Sequence, residues 1–397
     1  MDFVDIKKDD KNYIANTYNR FDLAIKEGQG SILYDYAGKR YIDFSSGIGV
    51  NTLGVNDEDW VNSIINQVKQ LQHISNLYYT LPQTKLAKLL CEKTNMSKVF
   101  FCNSGAEANE CAIKTARKYS YDKYGEGRKD IITLEGSFHG RTIATLSATG
   151  QDKFHQYFGP FVDGFKYAKI NDLDNLTKMI DSKTCAIMIE TIQGEGGVNN
   201  LDADFIKGID KLCKDNDLIF IVDEVQTGNG RTGYLYSYME YGVTPDVVTT
   251  AKGLSGGLPL GAILFSDKTQ NTLGFGEHGT TFGGNPICCS AALTILERLD
   301  DNLLANVKKS RQIIEDILLK SSCVNKITGK GLMVGVDFTS PSGLTATELA
   351  KKCIEKGIIV LTAKNRIRLL PSLNIKEEDL IDGIKILKGV IEEWNIF

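Results

Sequence analysis

The 397-residue chain has little of what several common functions require. It contains only four histidines, and none of them has the spacing of a metal ligand, so we expect no metal site. No segment approaches the ~18 consecutive apolar residues of a membrane-spanning helix, so we expect no membrane partner. The formal net charge of −4 gives no basic excess, which argues against nucleic acid as a partner.

A disulfide framework is also missing. The nine cysteines are odd in number, include the adjacent Cys288 and Cys289, and form no C-x-x-C pair. The N-terminal sequence lacks the basic segment and the following apolar segment of a signal peptide. These features favour reduced thiols, and we expect a cytoplasmic location.

Short apolar segments alternate with helical patterns through the middle of the chain. The apolar segments are 98–105, 130–136, 184–190, 218–224, 246–253 and 261–266. Strands this apolar, separated by helices, predict a mostly parallel sheet that is flanked by helices on both faces. The predicted fold class is therefore α/β.

The two ends of the chain differ from its middle. Turn residues separate alternating aromatic and apolar positions in residues 30–47, as in a β-hairpin. Helical patterns cover 286–299, 302–320 and 376–394 near the other end. We predict a large domain and a smaller α/β lobe, with residues 1–60 and 286–397 in the lobe and 61–285 in the large domain.

The stretch LIFIVDEVQTGNGRTG (218–233) contains two familiar signatures that we reject. An acidic strand end at Asp223-Glu224 suits the Mg²⁺ site of an ATPase, but the chain has no Gly-Lys-Ser or Gly-Lys-Thr for the phosphate loop. GNGRTG matches the G-x-G-x-x-G of a dinucleotide site, but it does not lie directly between a strand and a helix of small residues. We interpret it as a loop whose glycines permit tight turns.

A third interpretation of Asp223 depends on Lys252. Each of these residues ends a predicted buried strand, and neighbouring parallel strands would place both side chains at one edge of the sheet. A helix begins at Asn103-Ser104-Gly105-Ala106, where backbone N–H groups can bind a phosphate. Phe138 can stack on a planar ring, and Arg141 can bind a carboxylate through two hydrogen bonds.

These groups match what pyridoxal phosphate requires, although each loop alone could be ordinary turn chemistry. The amine of Lys252 would form a Schiff base with the cofactor aldehyde and would move the proton of the reacting carbon. The carboxylate of Asp223 would keep the pyridine nitrogen protonated, so that the ring accepts electrons. Thr280 and Thr281, in the glycine-rich loop 278–286, would add hydroxyl groups near the phosphate.

Ordered motifs along nearly the whole chain resemble those of one enzyme family. They are YDYAGKRYIDFSSGIGVNTLG, FFCNSGAEANECAIKTARKY, SFHGRT, IETIQGEGGV, IVDEVQTGNGRTG, TTAKGLSGG, HGTTFGGNP and RLLPSLNI. In these motifs the chain resembles the class III (ω-amino acid) aminotransferases, which are pyridoxal-phosphate enzymes of fold type I. The resemblance implies small-molecule substrates and a homodimer with active sites at the subunit interface.

The resemblance also implies roles for individual residues. Lys252 and Asp223 are the implied catalytic residues, and the implied cofactor-binding residues are Gly105, Ala106, Phe138, Asp223, Glu224, Val225, Gln226, Lys252 and Thr281. Gln226 would lie near the ring hydroxyl, and Thr281 would reach the phosphate across the interface.

Four further residues are implied substrate ligands. Arg141 would bind a substrate carboxylate, with Thr280 beside the same pocket. Glu195 would pair with Arg368 and would release it when glutamate or 2-oxoglutarate binds.

The implied reaction is transfer of the terminal amino group of N2-acetyl-L-ornithine to 2-oxoglutarate. Gly47 stands where ornithine-specific relatives present a tyrosine, which argues against free ornithine and leaves room for an acylated amine. Succinylornithine, ornithine and 4-aminobutyrate stay open as donors. An aminomutase of the glutamate-semialdehyde type and a non-catalytic binding protein are the alternatives from other classes.

Overall fold

The computed structural model describes residues 3–393. The helices are α1 (Phe3–Tyr13), α2 (Glu58–Gln70), α3 (Leu81–Thr94), α4 (Gly105–Tyr124), α5 (Ile143–Ala148), α6 (Leu173–Met179), α7 (Ala203–Asp215), α8 (Pro286–Arg298), α9 (Asp301–Leu318), α10 (Ala346–Glu355) and α11 (Glu377–Glu392). Within these described residues, no helix is both long and apolar enough to cross a membrane.

Seventeen strands accompany these helices in the described part of the chain. They are β1 (Ile25–Gln29), β2 (Ile32–Asp35), β3 (Arg40–Asp43), β4 (Lys98–Cys102), β5 (Asp130–Leu134), β6 (Phe165–Ala168), β7 (Thr184–Ile189), β8 (Ile192–Gln193), β9 (Asn199–Asn200), β10 (Ile219–Asp223), β11 (Val247–Thr250), β12 (Gly261–Phe265), β13 (Val324–Lys330), β14 (Met333–Phe338), β15 (Ile358–Ile359), β16 (Leu361–Ala363) and β17 (Arg366–Leu369).

A seven-stranded sheet in the order β4-β12-β11-β10-β7-β5-β6 forms the centre of the molecule. The neighbours from β11 to β6 are parallel, and β12 runs antiparallel to both β11 and β4. In β10, Ile219 and Ile221 join one buried cluster while Phe220 and Val222 join another. Because successive side chains of a strand point to opposite faces, both faces of the sheet are covered. The predicted α/β fold with a mostly parallel sheet is confirmed.

Residues near both ends of the chain share a second sheet, in the order β1-β2-β3-β15. β15 pairs in parallel with β3, with Ile358 opposite Ile42. The remaining C-terminal strands form an antiparallel sheet in the order β13-β14-β17-β16. This pairing is what a lobe built from both ends requires. Its bounds stay a prediction, and residues 1–2 and 394–397 of the predicted segments, including the last residue of the predicted helix 376–394, lie outside the described part.

The chain after β3 makes one turn with left-handed backbone geometry. Ser46, Gly47, Ile48 and Gly49 have φ values of 44°, 63°, 68° and 73°. The Gly49 N–H donates to the Ser45 carbonyl at 2.9 Å, which closes the turn. Left-handed helical geometry costs roughly 1–2 kcal/mol for each residue that carries a Cβ. The turn is therefore a strained segment.

Candidate active site

Three neighbouring parallel strands, β7, β10 and β11, bring side chains to one cavity. Glu190 directly follows β7, Asp223 is the last residue of β10, and Lys252 lies two residues beyond β11. All three residues line a cavity of about 500 Å³. The carboxyl edge of parallel strands is the usual ligand site of α/β folds, so this cavity is the candidate active site.

The Asp223 carboxylate is held by three donors. Its Oδ2 accepts hydrogen bonds from His139 Nδ1 and Asn109 Nδ2, each at 2.8 Å, and its Oδ1 accepts from the Val225 N–H at 3.0 Å. Thr249 fixes Asn109 in turn by donating to its Oδ1 at 2.7 Å. Because a buried carboxylate needs such donors, the network holds Asp223 in place at the wall of the cavity.

Lys252 presents its amine to the same cavity. Between residues 3 and 393, its Nζ makes no hydrogen bond or salt bridge. Burial lowers the pKa of Lys252, although the charges of Glu195, Asp223 and Glu190 oppose that shift. Its φ of 41° lies in the left-handed region, which is strained for a residue with a Cβ. A buried, unpaired amine with a lowered pKa is suited to act as a nucleophile and a base.

Glu190 is a third buried ionisable group of the cavity, and sequence reasoning missed it. Its Oε2 accepts a hydrogen bond from the Phe138 N–H at 3.0 Å, and its Oε1 accepts from the Gly194 N–H at 3.4 Å. Burial raises the pKa of Glu190 to about 7. Glu190 therefore connects the loop of Phe138 to the turn that carries Glu195.

The beginning of α4 forms one wall of the cavity. Gly105 and Ala106 line the wall, and Ser104 is the N-cap whose side chain accepts from the Glu107 N–H. A Cβ added to Gly105 would lie 2.6 Å from the Val225 side chain, so the close approach of these segments requires glycine. The first N–H groups of a helix have no intrahelical acceptor, and the helix dipole favours an anion there. This wall can bind a phosphate.

Phe138 and Arg141 line the cavity from the loop after β5. The Arg141 guanidinium lies 5.7 Å from the ring centroid of Phe138 and 5.2 Å from that of Phe154. Arg141 is exposed and makes no salt bridge with any described residue. Its charge is therefore available for a substrate carboxylate.

Gln226 lines the cavity and connects it to the pair of Glu195 and Arg368. Arg368 Nη1 donates to Glu195 Oε1 at 2.6 Å and to Gln226 Oε1 at 3.1 Å. Burial would raise the pKa of Glu195, but the charge and hydrogen bond of Arg368 outweigh it and lower that pKa. The Arg368 side chain is 4% exposed and that of Glu195 is 33% exposed, so Glu195 is the partner with room to move.

The structure does not bring the two predicted threonines into the cavity of their own chain. Thr280 Oγ1 accepts a hydrogen bond from Asn103 Nδ2 at 2.9 Å, and Asn103 lines the cavity. Thr281 is exposed on the same loop. The position of Thr281 is compatible with a role toward another subunit, which stays a prediction.

The predicted cofactor role of Glu224 needs a correction at its side chain. Glu224 is buried on the side of the loop away from the cavity, where Thr227 Oγ1 donates to it at 2.6 Å and Ser237 Oγ at 2.8 Å. The Tyr238 N–H donates to it as well. Since successive residues leave the end of β10 in opposite directions, Asp223 faces the cavity and Glu224 faces the protein. Val225 lines the cavity as predicted for a residue beside the cofactor.

The residues of this cavity fit pyridoxal phosphate. The Cβ-free start of α4 at Gly105 leaves a cradle for the phosphate, which a side chain there would fill. The buried amine of Lys252 has no protein partner in the described chain and suits an aldehyde. Asp223 offers a fixed carboxylate to a ring nitrogen, and Phe138 offers a ring face.

Two residues of the network could have been found from the sequence. Asn109 follows Gly105 by four positions on α4, so both lie on one face of that helix. Glu190 ends an apolar strand in the same way as Asp223, and the rule applied to Asp223 would have identified it.

Comparisons with known proteins agree with this site. Residues 13–391 match the family Aminotransferase class-III. The chain is 48% identical over 389 residues to the acetylornithine aminotransferase of Haemophilus ducreyi, covering 98% of each chain.

Solved structures give the same result. The N-acetylornithine aminotransferase of Stenotrophomonas maltophilia matches with a TM-score of 0.83 at 33% identity, covering 97% of this chain and 98% of that one. The ornithine aminotransferase of Toxoplasma gondii, whose active site holds pyridoxal phosphate at partial occupancy, matches with a TM-score of 0.92 at 28% identity, covering 98% of this chain and 94% of that one. The chain belongs to the class III aminotransferases, which are pyridoxal-phosphate enzymes.

Proposed function

We propose that this aminotransferase transfers the terminal amino group of N2-acetyl-L-ornithine to 2-oxoglutarate, a step of arginine biosynthesis. The observation that carries the proposal is the unpaired amine of Lys252 in one cavity with the fixed carboxylate of Asp223. The substrate is supported by the 48% identity to an acetylornithine aminotransferase and by Gly47, which leaves the space of a tyrosine open.

Lys252 and Asp223 are proposed as the two catalytic residues. The cofactor, when bound, supplies an electron sink for the bond that breaks at the reacting carbon. Lys252 Nζ holds and returns the proton of that carbon, because its lowered pKa lets the amine exist without charge. Asp223 presents its carboxylate to the ring nitrogen, and the donors His139 and Asn109 keep it in that position.

The remaining cofactor ligands are proposed from the lining of the cavity. The N–H groups of Gly105 and Ala106 bind the phosphate at the beginning of α4. Phe138 and Val225 supply apolar contacts to the ring, and Gln226 supplies an amide near the ring oxygen. The protein thereby orients the cofactor and restricts the access of water to it.

Arg141 and the pair of Glu195 and Arg368 are proposed to select substrates. Arg141 binds the α-carboxylate, since its charge is unpaired and lies at the cavity. Glu195 masks Arg368 while the amino donor, which has a single carboxylate, is bound. When a dicarboxylate enters, Glu195 moves outward and Arg368 binds the second carboxylate, with Thr280 beside the pocket.

We further propose a cytoplasmic homodimer whose interface includes an aromatic patch, made of residues 74–82 and 275–282. The patch exposes Leu77, Tyr79 and Phe282, with relative exposures of 85%, 99% and 60%. Asn76 Nδ2 donates to the Gly283 carbonyl at 2.8 Å and so joins the two segments. Exposed apolar surface of this kind is typical of an interface. Thr281 lies within the patch, which supports its role toward the partner's phosphate.

The function is tested with purified enzyme, 2-oxoglutarate and a panel of donors. We expect N2-acetylornithine to give the highest kcat/KM among acetylornithine, succinylornithine, ornithine and 4-aminobutyrate. A clear preference for another donor would overturn the proposed substrate. A product formed without 2-oxoglutarate would instead indicate an aminomutase. Sedimentation should show a dimer, and Phe282→Asp should yield monomers that bind the cofactor weakly.

A further inference from the structure

The side-chain amide of Gln226 lies between the candidate substrate gate and the cofactor cavity. Its Oε1 accepts from Arg368 Nη1 at 3.1 Å, and the same Nη1 donates to Glu195 Oε1 at 2.6 Å. Gln226 and Arg368 are 8% and 3% exposed, so solvent replaces little of either contact. One buried guanidinium nitrogen therefore joins the gate residue Glu195 to a residue that lines the cavity.

The contact with Arg368 determines which end of the amide faces the cavity. Because Oε1 accepts from Arg368, the Nε2 hydrogens remain as donors for groups on the other side. Gln226 therefore offers a donor, and not an acceptor, to an oxygen of the cofactor ring.

The turn that carries Glu195 packs directly on the same amide. A Cβ added to Gly194 would lie 2.3 Å from Gln226 Oε1 and 2.6 Å from its Nε2. The backbone before Glu195 thus contacts both ends of the amide. Movement of Glu195 and the orientation of Gln226 are mechanically connected through this contact.

Arg368 also needs Gln226 when the gate opens. The Arg368 Nε is buried and has no hydrogen-bond partner in the described chain, so Nη1 carries its contacts to Glu195 and Gln226. A buried charge that loses its only acceptors is strongly destabilised. When Glu195 leaves, the Gln226 oxygen remains as an acceptor that holds the guanidinium in place for the incoming carboxylate.

We propose that Gln226 is a positioning residue that couples the Glu195–Arg368 gate to the cofactor. It holds Arg368 while the gate is open, and Arg368 holds the amide in the orientation that donates to the ring oxygen. The inference rests on the proposed function, because it assumes one substrate with a single carboxylate and another with two.

The test is Gln226→Glu, studied in the two half-reactions separately by single-turnover absorbance. A carboxylate at 226 would pair with Arg368 and compete with the second carboxylate of glutamate. We expect kcat/KM for glutamate to fall at least tenfold more than kcat/KM for N2-acetylornithine. The pH dependence of the visible cofactor band should also shift, because the donor to the ring oxygen is lost.

Two further variants make the result decisive. Phe138→Leu, which contacts the cofactor and not Arg368, should slow both half-reactions alike. Gln226→Asn keeps the amide but shortens its reach, and it should show a weaker bias in the same direction even if the Glu variant folds poorly.

A double-mutant cycle with Glu195→Ala measures the coupling directly. We expect the effect of Gln226→Glu on the glutamate half-reaction to change at least fivefold when Glu195 is absent. Equal losses in both half-reactions, with additive effects in the cycle, would show that Gln226 contacts only the cofactor. Failure of the proposed function would look different, since the wild-type enzyme would then not react with acetylornithine.

Discussion

Asp223 and His139 form a fully buried pair, with His139 Nδ1 donating to Asp223 Oδ2 at 2.8 Å. The other ring nitrogen of His139 has no hydrogen-bond partner within the described residues. The imidazole is thus a donor toward the carboxylate and has no second contact to satisfy, which makes it a support of Asp223 and not a group that meets substrate.

Replacing Asp223 by Asn should lower kcat on the order of 10²–10³-fold, because the fixed charge that stabilises the protonated ring is lost. His139→Gln should cost less, about tenfold, since Asn109 still donates to the carboxylate. Stopped-flow absorbance of the donor half-reaction measures both. Equal losses in the two variants would contradict a supporting role for His139.

Replacing Lys252 by Ala should abolish the visible absorption band of the lysine-linked cofactor and remove measurable turnover. The band is recorded after loading with pyridoxal phosphate and removal of the excess. Lys88→Ala is the matched control, because Lys88 is exposed on α3 and lies outside the cavity. An unchanged band in the Lys252 variant would refute the assignment.

Glu190 should make the stability of the protein depend on pH. Its pKa is raised to about 7 in the folded chain from the ordinary 4.5, so the folded state binds more protons than the unfolded state between these values. The contribution of Glu190 is therefore present below pH 4.5 and is lost as the pH rises through 7. The free energy of unfolding, measured in urea at pH 5 and pH 8, should fall less in Glu190→Gln than in the wild type. Glu92→Gln, at an exposed position, should behave like the wild type.

Replacing Arg368 by Lys should raise KM for 2-oxoglutarate roughly 10–100-fold and change KM for the amino donor little. A lysine cannot reproduce the paired hydrogen bonds of a guanidinium to a carboxylate. Arg366→Lys is the control on the same strand, since Arg366 donates to the Gly197 carbonyl and pairs with Asp337. Similar KM values in both variants would show that Arg368 does not bind the second carboxylate.

Replacing Ile48 by Gly should increase the free energy of unfolding by roughly 1 kcal/mol. Ile48 is β-branched, 43% exposed and held at φ 68°, and glycine adopts that conformation without the steric cost. Ile65→Gly, at an exposed site inside α2, should instead destabilise by about 1 kcal/mol. Denaturant unfolding of the two variants distinguishes release of strain from a general effect of glycine.

Most of the fold could be predicted because the strands are buried on both faces. The unbroken apolar run of β10 and the charged residue at its end mark both the sheet and its ligand edge. The same reasoning could not predict that β12 runs antiparallel, because an apolar strand carries no sign of its direction. The pairing of β15 with β3 was equally hidden, since it joins two very short segments from distant parts of the chain.

The candidate site divides in a similar way. Asp223 and Lys252 were predictable because each stands at the end of an apolar strand. The contact of Arg368 with Gln226 required three dimensions, because nothing in RLLPSLNI indicates where that strand lies relative to β10. The inward and outward directions of Asp223 and Glu224 also depend on the pleat at one strand end, which two adjacent acids do not reveal.

The pairing of Ile42 with Ile358 has a consequence for how the protein is made. Synthesis proceeds from the N-terminus, so the ribosome must add some 300 residues before the hairpin β2–β3 meets its partner strand. All strands of the central sheet lie between these two residues and can pair first. The first segment to emerge is thus among the last to find its place, and until then β3 has an open edge that chaperones or a neighbouring nascent chain can contact.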